Sequence, residues 1–235
     1  MAERIIREGN GEVRARFTAD EIAKCALEIV ERDGVAGLSM RVVASRLGTG
    51  PMTLYNYVNG RDGLEELVVD AVMSSVRLPA PTKDWRADLM ATATALWETL
   101  RAHPNTVPLI VTRRPVTARS YAPAERMIEA LSRSHLDQVQ ILAAFRATLA
   151  LVTGSAQAEF AGIFAGTPLH EEANRAGAAR IKELARKEFP HIASLADVAR
   201  RSTAAQDFRR GLEMFVTGLE GTPGGSRRRL QPRKR

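Results

Sequence analysis

A chain of 235 residues with 45% apolar and 26% charged side chains can bury a real core, which excludes both a miniprotein and a wholly disordered chain. Its single cysteine, Cys25, excludes an internal disulfide framework and a cysteine-rich zinc module, and it fits a reducing compartment. The formal charge of +7 points to a polyanionic partner, most commonly nucleic acid. Most of that charge is local. Residues 1–77 carry 10 basic and 12 acidic side chains, whereas the last 14 residues carry six basic side chains and no acid. No unbroken apolar run approaches the roughly 18 residues of a membrane helix, and the start has no stretch suited to a signal peptide. The expectation is a cytoplasmic, nucleoid-associated protein with no membrane partner.

Strand patterns are nearly absent, while apolar residues recur at helical spacing from Phe17 to Leu219, so the fold class is all-α. Residues 1–16 read as a flexible N-terminal arm with Arg4, Arg7, Arg14 and Arg16. Thr18-Ala19-Asp20-Glu21 is a capping box, and it opens a first helix over Thr18–Asp33 with Gly34 as the stop. Ser39 caps a second helix that runs to Leu47, and Gly48 closes it. Thr49-Gly50-Pro51 makes the turn into a third helix, Pro51–Val58, with Pro51 in its first turn. Asn59-Gly60 breaks the chain again before a fourth helix from Arg61, with Leu64, Leu67, Val68, Ala71 and Val72 on one face. Leu78-Pro79-Ala80-Pro81 is the expected hinge between residues 17–77 and a larger helical unit over residues 84–220.

Six helices are expected in that second unit: Asp84–Ala102, Asn105–Thr112, Ala118–Ser134, Leu136–Gly166, Glu171–Glu188 and Ala204–Leu219. His103-Pro104, Arg114-Pro115, Gly166-Thr167-Pro168 and Pro190 punctuate them. The fourth of the six presents small residues every few positions, including Ala147, Gly154 and Ala158, a face that lets another helix approach closely. The last has Phe208, Leu212, Phe215 and Leu219 on one side, a broad apolar stripe. Both are candidate subunit interfaces. Residues 221–235 read as a disordered basic tail.

Two short helices joined by a glycine-containing turn form a helix-turn-helix pattern, whose second helix enters the major groove. Thr53, Tyr55, Asn56 and Tyr57 crowd that second helix with hydroxyls and an amide suited to phosphates and base edges. Between Asp33 and Asp62 there is no acid, only Arg41, Arg46 and Arg61. The first 77 residues are therefore negative overall but positive where they would touch DNA.

Phe17-Thr18-Ala19-Asp20-Glu21-Ile22, Gly34-Val35-Ala36-Gly37-Leu38-Ser39-Met40-Arg41, Leu47-Gly48 and Thr53-Leu54-Tyr55-Asn56-Tyr57-Val58 together resemble the TetR family of bacterial transcriptional regulators. Residues 84–219 also resemble, more loosely, the C-terminal domain of the tetracycline-repressor branch. The resemblance implies a three-helix helix-turn-helix domain linked to a larger helical domain for ligand binding and dimerisation, in a homodimer that binds operator DNA. It implies that Arg41 meets a base edge or phosphate and that Pro51, Met52 and Thr53 lie nearest the bases. Tyr55, Asn56 and Tyr57 fall on the DNA-facing side, and Arg61 holds a phosphate at the start of helix four. Tyr57 stands where histidine is frequent.

Trp97, Ile110, Met127, Phe145, Val152, Phe160 and Phe164 are the apolar candidates to line an effector pocket. In tetracycline repressors a metal-contacting histidine lies three residues before a Thr-Arg-Pro turn, and here Ile110 precedes Arg113-Arg114-Pro115 at that spacing. The resemblance therefore carries no magnesium–tetracycline site, no metal and no cofactor, and it favours a mostly apolar effector. A constitutive DNA-binding dimer without an effector stays open as an alternative. A helical-bundle metalloenzyme needs two Glu-x-x-His pairs on helices, but one copy occurs, Glu188-Phe189-Pro190-His191, and its proline keeps the pair off one helix face. Catalysis is not expected.

Overall fold

Thr18 behaves as its spacing to Glu21 predicts. Its hydroxyl accepts from the Glu21 N–H at 3.2 Å, and the Glu21 carboxylate accepts from the Thr18 N–H at 2.8 Å. This reciprocal cap satisfies donors that the first turn would otherwise leave orphaned. It opens α1 (Ala19–Asp33), which buries Ile22, Ala26, Ile29 and Val30 and stops at Gly34, whose φ of 71° disfavours side chains with a Cβ. The computed structural model describes residues 17–161, 183, 189–199 and 201–224. The N-terminal arginines and the six basic residues of the tail lie outside the described residues, as does nearly all of the helix expected over Glu171–Glu188; the first four residues of the expected tail, 221–224, are described, with the Thr222 carbonyl 2.7 Å from His135 Nε2 and the Pro223 carbonyl accepting from Gln140 at 2.9 Å.

Ser39 caps α2 (Met40–Arg46) by accepting from the Val42 N–H at 3.3 Å. Gly48, at φ 65°, turns the chain toward α3 (Pro51–Leu54). The predicted helix continued to Val58, but the α-helix ends four residues earlier. Asn56 and Tyr57 donate three residues back, to the carbonyls of Thr53 and Leu54 at 3.3 and 2.9 Å. The segment is a tightened turn, a common way to use the last carbonyls of a short helix. It allows Leu54 and Val58 both to reach the core before Gly60, at φ 64°, starts α4 (Gly60–Ser74).

The remaining described helices are α5 (Trp85–Ala102), α6 (Val107–Thr112), α7 (Ala122–Ser132), α8 (Gln138–Ala161), α9 (Pro190–Ala199) and α10 (Ala204–Glu220). Short 3₁₀ turns, Pro104–Thr106 and Ala118–Tyr121, precede α6 and α7 where the sequence suggested unbroken helices. Pro123 explains the second break, since it fits the first turn of α7 but lacks the N–H an interior position needs. Pro190 was expected only as punctuation; it instead occupies the first position of α9, where its fixed φ suits a helix start. Among the described residues there is no strand.

One expectation from counting apolar runs needs correction. Gln138–Ala158 of α8, 21 residues long, contains an 18-residue stretch of mean hydropathy 1.4, long and apolar enough by those measures to cross a membrane. Alanines raise its hydropathy without adding bulk, Arg146 interrupts it, and the helix packs against α5, α7 and α10.

α4 is the centre of the molecule. It packs along α1 on one side and against the 3₁₀ turn at Ala118–Tyr121, α5 and α6 on the other, within one hydrophobic cluster that runs from Ile22 to Val216. Leu64, Val68 and Val72 supply its fully buried face. The predicted hinge is not a free strand of chain. The Pro79 carbonyl accepts from Arg126 at 3.1 Å and the Thr82 carbonyl from Arg133 at 2.8 Å.

Asp88 organises that linker from inside α5. Buried itself, it accepts from Arg133, from the Thr82 N–H and from the Thr82 hydroxyl at 2.8 Å. The Arg133 hydrogen bond, then those from Thr82, hold its carboxyl below the usual range against the opposing effect of burial. Because the folded pKa is the lower one, this stabilisation is complete above the unfolded value of about 3.9 and is lost as pH falls through the folded value. Thermal melts of wild type and Asp88→Asn are expected to differ at neutral pH and to converge in acid. A constant gap down to low pH would remove Asp88 from the acid response.

Candidate nucleic-acid interface and effector domain

Leu54 and Val58 anchor the helix-turn-helix from beneath, with Val43 and Ala44 of α2 buried under the same turn. What remains on the outside is a surface that the fold does not use. Met52 is 77% and Tyr55 54% exposed, with Pro51 and Asn56 exposed beside them and Thr53 half-buried. Tyr57 is drawn back, half-buried and edge-on to Phe17 with ring centroids 6.2 Å apart, so packing takes part of the side chain assigned to DNA. Arg41 is exposed on α2 and makes no ion pair among the described residues, while Arg46 stands 3.9 Å from Glu28.

Arg61 is exposed, yet two of its N–H groups are already engaged within the protein. Its Nε donates to Glu65 Oε1 at 2.9 Å and its Nη2 to the Val35 carbonyl at 3.0 Å. Glu65 is the unexpected residue, a carboxylate side chain only 7% exposed inside a helix that was read for its apolar face. Its other oxygen, Oε2, accepts from Nε of Arg113 at 2.8 Å, and Arg113 also reaches Asp62 at 2.6 Å. The Glu65 hydrogen bond, more than any other contact, pushes the Arg113 pKa up, so the guanidinium stays charged.

Nearby, Asp70 of α4 accepts through Oδ1 from the N–H groups of Val116 and Thr117 at 3.0 and 3.3 Å and from the Ser120 hydroxyl. It thereby caps a turn belonging to the second unit. Glu31 of α1 is met by His103 and, at its carbonyl, by Asn105 at 2.8 Å. Polar contacts thus tie both α1 and α4 to the second unit. Sequence reasoning missed Glu65, Asp70 and Arg113. The i, i+4 pairing of Arg61 with Glu65 was visible, but Arg113 lies 48 residues from Glu65 and no local pattern joins them.

The predicted effector residues fall on α5, α6, α7 and α8, helices packed on one another. Trp97, Met127 and Val152 are buried in the core and Ile110 and Phe145 are half-buried. The Phe160 side chain and Phe164 lie outside the described residues. Trp97 stacks on Phe208 at 4.7 Å between centroids and 7° between planes, and the Arg101 guanidinium sits 4.7 Å from the Trp97 ring centroid. Two buried polar atoms of α5, Trp97 Nε1 and Thr92 Oγ1, have no hydrogen-bond partner among the described residues.

The predicted subunit face separates into two groups. Ala147, Gly154 and Ala158 are exposed on α8, with Ala143 and Ala150 on the same side. Phe208 and Leu212 are instead buried within the protomer, which corrects their assignment to a subunit contact: the broad stripe of α10 is broad because α5 and α8 already cover much of it. Phe215 and Leu219 are half-buried at the edge, and Met214, not singled out from sequence, is 76% exposed.

A family model described as "Tetracyclin repressor-like, C-terminal domain" matches residues 78–222. An HTH-type transcriptional regulator of Saccharopolyspora erythraea is 30% identical over 220 residues, covering 92% of this chain and 90% of that protein. The HTH-type transcriptional repressor DrrR1 of Streptomyces coeruleorubidus is 31% identical over 221 residues, 87% of this chain and 77% of the repressor. Among solved structures, ActR of Streptomyces coelicolor in complex with actinorhodin superposes with a TM-score of 0.76 at 25% identity, covering 89% of this chain and 99% of that one. Its apo form gives 0.72 at 28% identity, over 87% and 95% of the two chains. With an exposed helix-turn-helix at one end, an all-helical second unit and these relatives, the chain belongs to the TetR family of transcriptional regulators.

Proposed function

We propose that this regulator is a repressor that binds a palindromic operator as a homodimer and is released by a small, mostly apolar effector. The observation that carries the DNA reading is the solvent-facing group at α3, where Met52, Tyr55 and Asn56 lie outside the fold's own packing. Together with Arg41, Pro51, Thr53 and Tyr57 they make a neutral-to-positive surface of a size suited to the major groove. A two-fold dimer sets half-site centres about one helical turn, near 34 Å, apart. Arg61, held by its partners Glu65 and Val35, and the first N–H groups of α4 are the groups read for the flanking phosphate; Asn59, at the N-cap, supplies no side-chain bond to those N–H groups. Residues 17–77 form the reading domain and residues 84–220 the effector and dimer domain. Acting on chromosomal DNA, the protein works in the cytoplasm at the nucleoid.

The effector reading is supported by the buried Trp97 Nε1–H, which has no hydrogen-bond partner among the described residues and is a donor for an acceptor group on an otherwise apolar molecule. ActR has been solved with actinorhodin and with (S)-DNPA. Binding sites selected from genomic fragments supply the operator. Thermal shifts against a panel of small, mostly apolar compounds that carry a hydrogen-bond acceptor then test release: at least one compound is expected to raise the melting temperature and to lower operator retention together. Stabilisation by none of them, with operator binding intact, favours a constitutive dimer.

A further inference from the structure

We infer that Glu65 is a shared counter-ion that decides whether Arg61 is available to an operator phosphate, and that Arg113 governs the sharing from the effector domain. The inference rests on the reading of Arg61 as a phosphate contact. Glu65 divides its oxygens between two cations from different units, Oε1 to Arg61 at 2.9 Å and Oε2 to Arg113 at 2.7–2.8 Å. With the side chain only 7% exposed, water cannot replace either partner in full. If Arg113 withdraws, the whole compensation of a buried carboxylate falls to Arg61.

Arg61 cannot serve two anions equally well. Its Nε is engaged by Glu65 and its Nη2 by the Val35 carbonyl, which turns the guanidinium back toward the corner between α1 and α2. A phosphate met through the remaining N–H groups takes up charge that Glu65 otherwise shares, an exchange of counter-ion rather than a necessary loss of either bond. That exchange is easy while Arg113 neutralises Glu65 and costly once it does not. Arg113 is the residue that ends α6, its N–H bonded to the Leu109 carbonyl at 2.7 Å, so its position follows that short helix. Ile110, on the same turn, is one of the residues assigned to the effector. A ligand that displaces the end of α6 thus moves the competing cation three residues away, and the effect reaches DNA as a change of partner at one carboxylate. Asp62, exposed and 2.6 Å from Arg113, gives the withdrawn guanidinium a second anchor near the same site.

The test uses the full-length dimer and a duplex recovered by selection on the wild-type protein, with two readouts: affinity, and the slope of log K against log salt. Losing one phosphate contact flattens the slope by about 0.9 and, at about 0.15 M salt, weakens binding about fivefold for each protomer. Arg61→Gln is expected to show both changes, and Arg113→Gln to reproduce them although it lies in the other unit. Adding Arg113→Gln to Arg61→Gln is expected to cost nothing more. Glu65→Gln with Arg113→Gln is expected to restore wild-type affinity and slope, a rescue that a merely structural role does not produce. Wild-type binding by Arg113→Gln, or failure of Glu65→Gln to rescue it, overturns the inference while leaving the Arg61 contact intact. An unchanged slope in Arg61→Gln itself overturns the phosphate reading and the inference with it. Where Arg113→Gln is unstable, Arg113→Lys keeps the charge without the paired bonds to Glu65; it is expected to bind between wild type and Arg61→Gln, and wild-type affinity there also overturns the inference.

Discussion

Thr53→Ala combined with Tyr55→Ala is expected to abolish discrimination between operator and random DNA while leaving the protein folded and dimeric. Each lost contact to a base edge costs about 1–3 kcal/mol, and a two-fold dimer repeats both losses. Four such contacts amount to roughly 4–12 kcal/mol, comparable to the whole gap of about 4–10 kcal/mol between specific and non-specific binding. Tyr55 is exposed and Thr53 half-buried, and neither belongs to the fully buried core, so melting should shift little. Footprinting on the selected operator provides the check. Protection that persists in the double variant would place the reading helix elsewhere.

The second large effect concerns assembly. Ala147→Glu with Gly154→Glu is expected to convert the dimer to a monomer and, by leaving each protomer a single half-site, to lose operator retention at concentrations where wild type binds fully. The two positions lie seven residues apart, two turns along one exposed side of α8. In the proposed dimer a carboxylate placed there meets its own copy or an apolar neighbour across the two-fold axis, and a buried unpaired charge costs several kcal/mol. Glutamate is a better helix former than the glycine it replaces, so the protomer itself is not weakened by local propensity. Light scattering gives the mass directly; a mass that stays dimeric would move the interface to another face. Phe208 and Leu212 are unsuitable for this test because charging them strikes the protomer's own core.

Much of the reading domain was legible because its signals are local. The Thr18–Glu21 cap, the Ser39 cap, and the glycines at positions 34, 48 and 60 act over three or four residues, and each stands where the sequence placed it. α3 was overestimated for the same reason: helical spacing of Leu54 and Val58 does not distinguish an α-turn from the tighter turn that buries both. In the second unit, side-chain size showed which faces are apolar but not what covers them. Alanines on α8 and phenylalanines on α10 looked equally available, yet the former stay exposed and Phe208 stacks on Trp97.

The sequence by itself determined the helical class, the helix-turn-helix, the acid-free window around it and the family, since caps, turns and charge runs depend on neighbours within a few residues. Only the tertiary structure decided how the two units are joined. Glu65 reads as one more charge on an amphipathic helix until Arg113, 48 residues onward, closes on its second oxygen. Asp70 likewise has no visible task until the fold brings the Val116 and Thr117 N–H groups and the Ser120 hydroxyl to its carboxylate. A buried charge needs a partner, and the partner comes from whichever helix the packing brings near, which no local pattern records.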